Sequence, residues 1–174
     1  HNFLLTGMSD LAGWETEWRE QVFRKIAENP QHQFLFLSKR PDLLNFRTDM
    51  ENAWFGVTVT RKSELWRIDA LRENVRAKHY HVTFEPLFDD PGQVDLHDIG
   101  WIVVGTMTGA QSRKVHTEPA WAYALTEQLL IRSVVTSSAS TLSDIVTCAR
   151  IRPRLCLCLS PCRLLLLPDA LSRC

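Results

Sequence analysis

The chain has 174 residues and a formal net charge of +0, enough for one ordinary domain with a sizeable core and no global electrostatic case for nucleic acid or a membrane surface. The balance hides a split. Residues 1–128 hold 18 acidic and 14 basic residues (net −4), whereas 129–174 hold 2 and 6 (net +4); every Gly and Trp lies before residue 122 and every Cys after residue 147.

Taken in order, Phe3-Leu4-Leu5 is an apolar run that stops in a polar, Gly-bounded turn from Thr6 to Gly13. A helical pattern follows at once, as in a βα unit that presents groups at the C-terminal end of a parallel strand. Trp14, Trp18, Val22, Phe23 and Ile26 recur at steps of three and four, which predicts a helix from Trp14 to Glu28. Asn29-Pro30 stops it, because a residue before proline disfavours the α region. Phe34 to Leu37 reads as a strand buried on both faces, and Pro41 to Phe46 as a short helix with Pro in its first turn. Trp54 to Thr60 alternates, with Phe55, Val57 and Val59 on one face and Trp54, Gly56, Thr58 and Thr60 on the other. Lys62 to Val75 is helical, carrying Leu65, Ile68, Leu71 and Val75. Tyr80, Val82 and Phe84 then alternate with His79, His81, Thr83 and Glu85. After a turn at Asp89-Asp90-Pro91-Gly92, Trp101 to Val104 is a further buried strand ending at Gly105. Thr106 to Lys114 is a polar loop, and Pro119 to Gln128 is helical with Trp121, Ala124 and Leu125 inward.

Strands alternating with helices predict an α/β fold with a parallel sheet. A doubly wound sheet would make most central strands apolar on both faces. Two strands here carry a polar face, Gly56/Thr58 and His81/Thr83/Glu85, which suits the interior of a barrel. Residues 1–128 are therefore expected to form the C-terminal portion of a partial (βα) barrel. Residues 129–174 break the pattern and are expected to be a disordered, frame-shifted tail. Leu129-Leu130-Ile131 begins a strand-like run that Arg132 onward does not continue. The first residue is His and the chain enters a strand pattern by residue 3, so it reads as N-terminally truncated. No secretory pattern opens it, which makes a cytoplasmic location the default. The longest pure leucine run, Leu164 to Leu167, is too short to span a bilayer, so no membrane partner is expected.

The strand ends carry the candidate chemistry. Ser9 and Asp10 either bind a cationic or hydroxyl-rich ligand or cap the following helix. Lys39, with Arg40, either contacts a carboxylate or phosphate or belongs to a solvated basic loop. Thr58 shares a face with Gly56, whose missing side chain either lets a ligand approach the backbone or simply makes a small inner face. Glu85 sits at the proper end of its strand, next to Pro86. His79 and His81 share a face at the spacing of a metal pair, but they begin their strand, which places them toward the opposite, stabilising end of a barrel. The cysteine spacing Cys148-x7-Cys156-x-Cys158-x3-Cys162, with no later His, is wrong for a zinc ribbon or knuckle. No metal ligands are assigned.

Residues 3–128 resemble the C-terminal part of the radical S-adenosylmethionine mobile pair protein B family, a relative of spore photoproduct lyase and phage-type radical S-adenosylmethionine-like proteins. The resemblance rests on Phe3 to Leu11, Asn29 to Pro41, Trp54 to Val59, Phe84-Glu85-Pro86-Leu87 and Trp101 to Gly105 together. It implies a partial (βα) barrel that binds S-adenosylmethionine on a 4Fe–4S cluster held by a C-x3-C-x2-C loop. Reductive cleavage there yields a 5′-deoxyadenosyl radical, in the service of nucleic-acid repair or modification. It implies further that Ser9, Asp10, Lys39 and Thr58 contact S-adenosylmethionine, and that a companion radical protein of the mobile pair is a partner; Glu85, chosen by its strand-end position, is grouped with these four as a cofactor-binding candidate. The cluster loop is absent from this chain, so the resemblance implies a fragment that is inactive by itself, with the cluster only in its full-length parent. The alternative is a non-catalytic (βα) module that binds a partner or a nucleotide-like ligand.

Overall fold

The computed structural model describes residues 1–107, 117–136, 146–150 and 156–159, with side chains described as far as residue 128. They form two compact units, one of His1–Val59 with Ser63–Thr83, the other of Thr60–Lys62 with the described residues from Phe84 onward. The fold is mixed α/β, and the parallel strands β1 (Asn2–Leu4), β2 (Gln33–Ser38), β4 (Ala53–Thr58), β6 (His79–Phe84) and β7 (Ile99–Gly105) form the expected partial (βα) barrel.

In the first unit the strand order is β1-β2-β4-β6, every pair parallel. The register sets Phe36 beside Phe55, and Leu37 beside Gly56 beside His81. Alternation then gives the sheet two unlike faces. One carries Phe36 and Phe55, stacked at 5.0 Å and joined by Phe23 of α1 (Thr16–Ala27) and by Phe46 of β3 (Phe46–Arg47). The other carries Trp54, Gly56 and Thr58 against His79, His81 and Thr83. The turn after β2 is a 3-10 turn, Pro41–Leu43, and not a full helical element. The α2 helix (Trp66–Asn74) buries Ile68 and Leu71 as its spacing predicts, and leads into β5 (Val75–Arg76), which pairs with β3.

Three placements differ from the sequence pattern. Trp18 falls on the apolar stripe of α1 yet is 60% exposed. In α3 (Pro119–Thr136), Ala122 is buried with Leu125 while Ala124 is exposed. The run Leu129-Leu130-Ile131 lies inside α3 and begins no strand. The tail also contains strands that its composition does not announce. In the second unit β8 (Val146–Arg150) pairs parallel with β7, and β9 (Cys156–Leu159) pairs antiparallel with β8. Cross-strand hydrogen bonding is indifferent to side-chain type, which is why composition alone misses such pairing. Residues 137–145, 151–155 and 160–174, also part of the expected tail, lie outside the described residues, as does most of the expected 106–114 loop.

Candidate functional site at the strand ends

Four of the five expected residues lie in the first unit: Ser9 and Asp10 in the turn after β1, Lys39 directly after β2, and Thr58 as the last residue of β4. The turn after β1 is held by two side chains. Thr6 Oγ1 accepts the Leu37 N–H at 2.7 Å. Asp10 has extended backbone and caps the 3-10 turn Leu11–Gly13, its Oδ1 accepting the Ala12 N–H at 2.9 Å. The same oxygen accepts from the Ser38 hydroxyl at 2.7 Å, and Oδ2 accepts the Lys39 N–H at 2.8 Å. Ser38 Oγ in turn accepts the Arg40 N–H at 3.0 Å.

Asp10 is therefore a latch between the β1 turn and the end of β2. Of the two readings open for it, capping is the role its contacts show, although the capped element is the short turn and not α1. A carboxylate has about four acceptor positions, and three protein donors occupy most of them. Thr6 and Ser38 were not singled out in the sequence. Each is a hydroxyl residue at a strand end, and nothing in the local pattern says which distant backbone group it will meet.

Asp10 also fixes the residues around it. Ser9 is exposed, and its Oγ accepts the Trp14 Nε1–H at 2.9 Å, so its own proton points elsewhere. Lys39 is exposed on a backbone pinned by Asp10. In the β2–β4 register Val57 stands beside Ser38, which brings Thr58 level with Lys39. Thr58 is buried (5% exposed), and its carbonyl accepts from Arg67 Nη1 at 2.8 Å. Arg67 is itself paired with Glu64 at 3.0 Å.

The Gly56 reading needs correction. Its missing side chain makes room for the His81 imidazole. A Cβ at Gly56 would overlap the ring at Nε2, Cε1 and Cδ2. The ring crosses β4 at this point and its Nε2 lies 2.9 Å from the Phe36 carbonyl oxygen. A carbonyl only accepts, so Nε2 carries the proton and the imidazole is the neutral Nε2–H tautomer. Burial lowers its pKa from the ordinary 6.5 to about 4, against a smaller upward pull from the Phe36 carbonyl. His79 meanwhile stacks on Trp54 at 4.6 Å. The two histidines are thus spent on the sheet face below the strand ends. Among the described residues no cluster of three or more His, Cys, Asp or Glu could hold a metal ion.

Glu85 belongs to the second unit and is exposed after β6. Its side chain lies over Gly105 at the end of β7, where a Cβ would come within 2.8 Å of Glu85 Cγ and Cδ. The segment is held there by the Leu87 N–H to the Gly105 carbonyl at 3.0 Å, and by the Thr117 hydroxyl to the Leu87 carbonyl at 2.6 Å.

These features define a partial (βα) barrel of parallel strands with hydroxyl, carboxylate and ammonium groups at the strand ends. The chain belongs to a family described as a protein of unknown function, DUF5131, whose pattern matches residues 1–135. No curated protein and no solved structure matches the chain. Among the described residues no helix is long and apolar enough to cross a membrane.

Proposed function

We propose that this chain is part of a radical S-adenosylmethionine enzyme and contributes one wall of the S-adenosylmethionine pocket. The observation that carries the reading is the Asp10 latch, which pins the β1 turn and the end of β2 and so holds Ser9 and Lys39 at one end of the sheet. Lys39 supplies a cation for the methionyl carboxylate, and the Ser9 and Thr58 hydroxyls supply donors and acceptors for its amino group or the ribose. Asp10 acts through the loop it organises more than by direct contact. Glu85 is the candidate from the second unit.

The 4Fe–4S cluster does not fit the residues present. Every cysteine falls at or after residue 148, and none lies in the β1, β2 or β4 strand-end loops. No cleavage step is assigned to this chain, and ligand binding is its proposed role. Nucleic acid as the parent's substrate and a companion radical protein as its partner belong to the same proposal. The commitment of Asp10 to three protein donors favours a second reading, a non-catalytic module whose strand-end loops are held for a partner or nucleotide-like ligand.

Calorimetric titration with S-adenosylmethionine, on the wild type and on Lys39→Ala, tests the proposal. Saturable binding that weakens at least tenfold in Lys39→Ala is expected. No binding up to millimolar ligand, or binding indifferent to Lys39, overturns it.

A further inference from the structure

A short ribbon on the apolar side of the first unit's sheet places two arginines in one row. β3 and β5 are parallel, and their register sets Phe46 beside Val75 and Arg47 beside Arg76. The first of these pairs is anchored inward: the Phe46 ring centroid lies 5.5 Å from that of Phe23 and 5.2 Å from that of Phe55, and Val75 is fully buried. Side chains alternate along a strand, so Arg47 and Arg76 leave together by the outer face, where both are exposed. Neighbouring strands stand about 4.8 Å apart, which starts the two side chains within reach of one small ligand. The backbone beneath them is fixed. The Thr48 N–H donates to the Arg76 carbonyl at 2.9 Å. The Tyr80 hydroxyl brackets Arg76, donating to the Val75 carbonyl at 2.6 Å and accepting the Ala77 N–H at 2.9 Å.

Like charges directly opposite on paired strands repel, yet among the described residues neither Arg47 nor Arg76 makes an ion pair. The bases around them do: Arg72 pairs with Asp69 at 2.9 Å and Lys78 with Glu51 at 2.7 Å. Lys78 is held above its ordinary pKa first by that Glu51 contact and, more weakly, by the charge of Asp49, so the carboxylate nearest Arg47 in sequence acts toward Lys78. Glu73, in the last turn of α2, is exposed and pairs with neither arginine. On the flank formed by α1, Arg19 lies over the Phe46 ring at 4.9 Å. It too makes no ion pair with a described residue, although Glu15 and Glu20 are near it in sequence.

We propose that Arg47 and Arg76 form a phosphate-binding site, with Arg19 as a flanking cation. An arginine presents a planar fork of N–H donors that meets an oxyanion two bonds at a time. A carboxylate has two oxygens in one plane and is filled by one fork. A phosphate is tetrahedral, so its oxygens can accept from two forks at once, and its negative charge relieves the repulsion between the two cations. Two sources present this group: a soluble phosphate ester, and a nucleic-acid backbone whose successive phosphates add a contact at Arg19. The site is separate from the strand-end residues. Arg76 lies three positions before β6 begins, whereas Lys39 and Thr58 sit where β2 and β4 end. It therefore stands whether or not those residues bind S-adenosylmethionine.

Two measurements on the full chain test the proposal, each comparing wild type with the double substitution Arg47→Gln, Arg76→Gln. The first is urea unfolding in inorganic phosphate and in chloride at equal ionic strength. Phosphate stabilises any folded protein through its exclusion from the surface, so the site appears as an additional midpoint shift in the wild type alone. The second is fluorescence anisotropy of a labelled single-stranded oligonucleotide over a salt series. A nucleic-acid source gives binding about tenfold weaker in the double variant, and a slope of log affinity against log salt smaller by about 1 for each arginine removed. An additional phosphate shift without oligonucleotide binding assigns the soluble ester. Should the double variant fail to fold, Arg76→Lys keeps the charge, loses the fork and should reduce the same readouts. Equal phosphate shifts in both proteins, with oligonucleotide binding absent or indifferent to the substitutions, overturn the site.

Discussion

Acidification should destabilise this protein through His81 in a defined pH window. The imidazole is 2% exposed and held neutral by burial, its pKa lowered to about 4 from 6.5. A depressed value means that below pH 6.5 the unfolded chain takes up a proton that the folded chain refuses. Stability contributed by the neutral ring is thus complete above pH 6.5, and is lost progressively as pH falls toward 4. A displacement of that size corresponds to about 3 kcal/mol, a large share of the stability of an ordinary domain. Urea unfolding followed by Trp fluorescence at pH 7, 6, 5 and 4 measures it, with His81→Gln as the reference. Glutamine can still donate to the Phe36 carbonyl but does not titrate. The wild type should lose about 3 kcal/mol more than His81→Gln between pH 6.5 and 4. Parallel pH profiles for the two proteins would refute the assignment of His81 as a neutral, buried strut.

Gly56→Ala should cost about 1–3 kcal/mol at pH 7, because the new Cβ meets the His81 ring on a packed sheet face; an unchanged urea midpoint would show that the ring can move aside freely. Asp10→Asn should cost about 2–3 kcal/mol, since one carboxylate oxygen that accepts a hydrogen bond becomes an NH2 group facing a donor. A loss below about 0.5 kcal/mol, within the range of ordinary surface substitutions, would remove the latch from the account. Lys39→Ala should leave the unfolding free energy within about 0.5 kcal/mol of wild type, because the side chain is exposed, while weakening S-adenosylmethionine binding. Reconstitution of the chain with iron and sulfide should give no 4Fe–4S absorbance near the visible charge-transfer region, and an intact cluster would contradict the reading that its ligands lie elsewhere.

The sequence by itself determined the α/β class, the parallel strands and most of the elements, because periods of two and of three to four residues are local properties of the chain. It also located the strand ends, since Gly, Pro and polar residues punctuate apolar runs wherever a strand must stop. What those ends do was decided by tertiary structure. Asp10 could be read as cap or ligand contact until Ser38 and the Lys39 amide, 28 and 29 residues away, arrived at its carboxylate. Gly56 could be read as room for a ligand until the parallel register set His81 beside it and the imidazole crossed β4 to Phe36. Trp18 kept the helical period yet stayed exposed, because a period specifies a stripe on a helix and only the neighbouring elements determine how much of it is covered. Partner choice for a buried polar group depends on residues brought together by chain topology, and no spacing along the sequence records it.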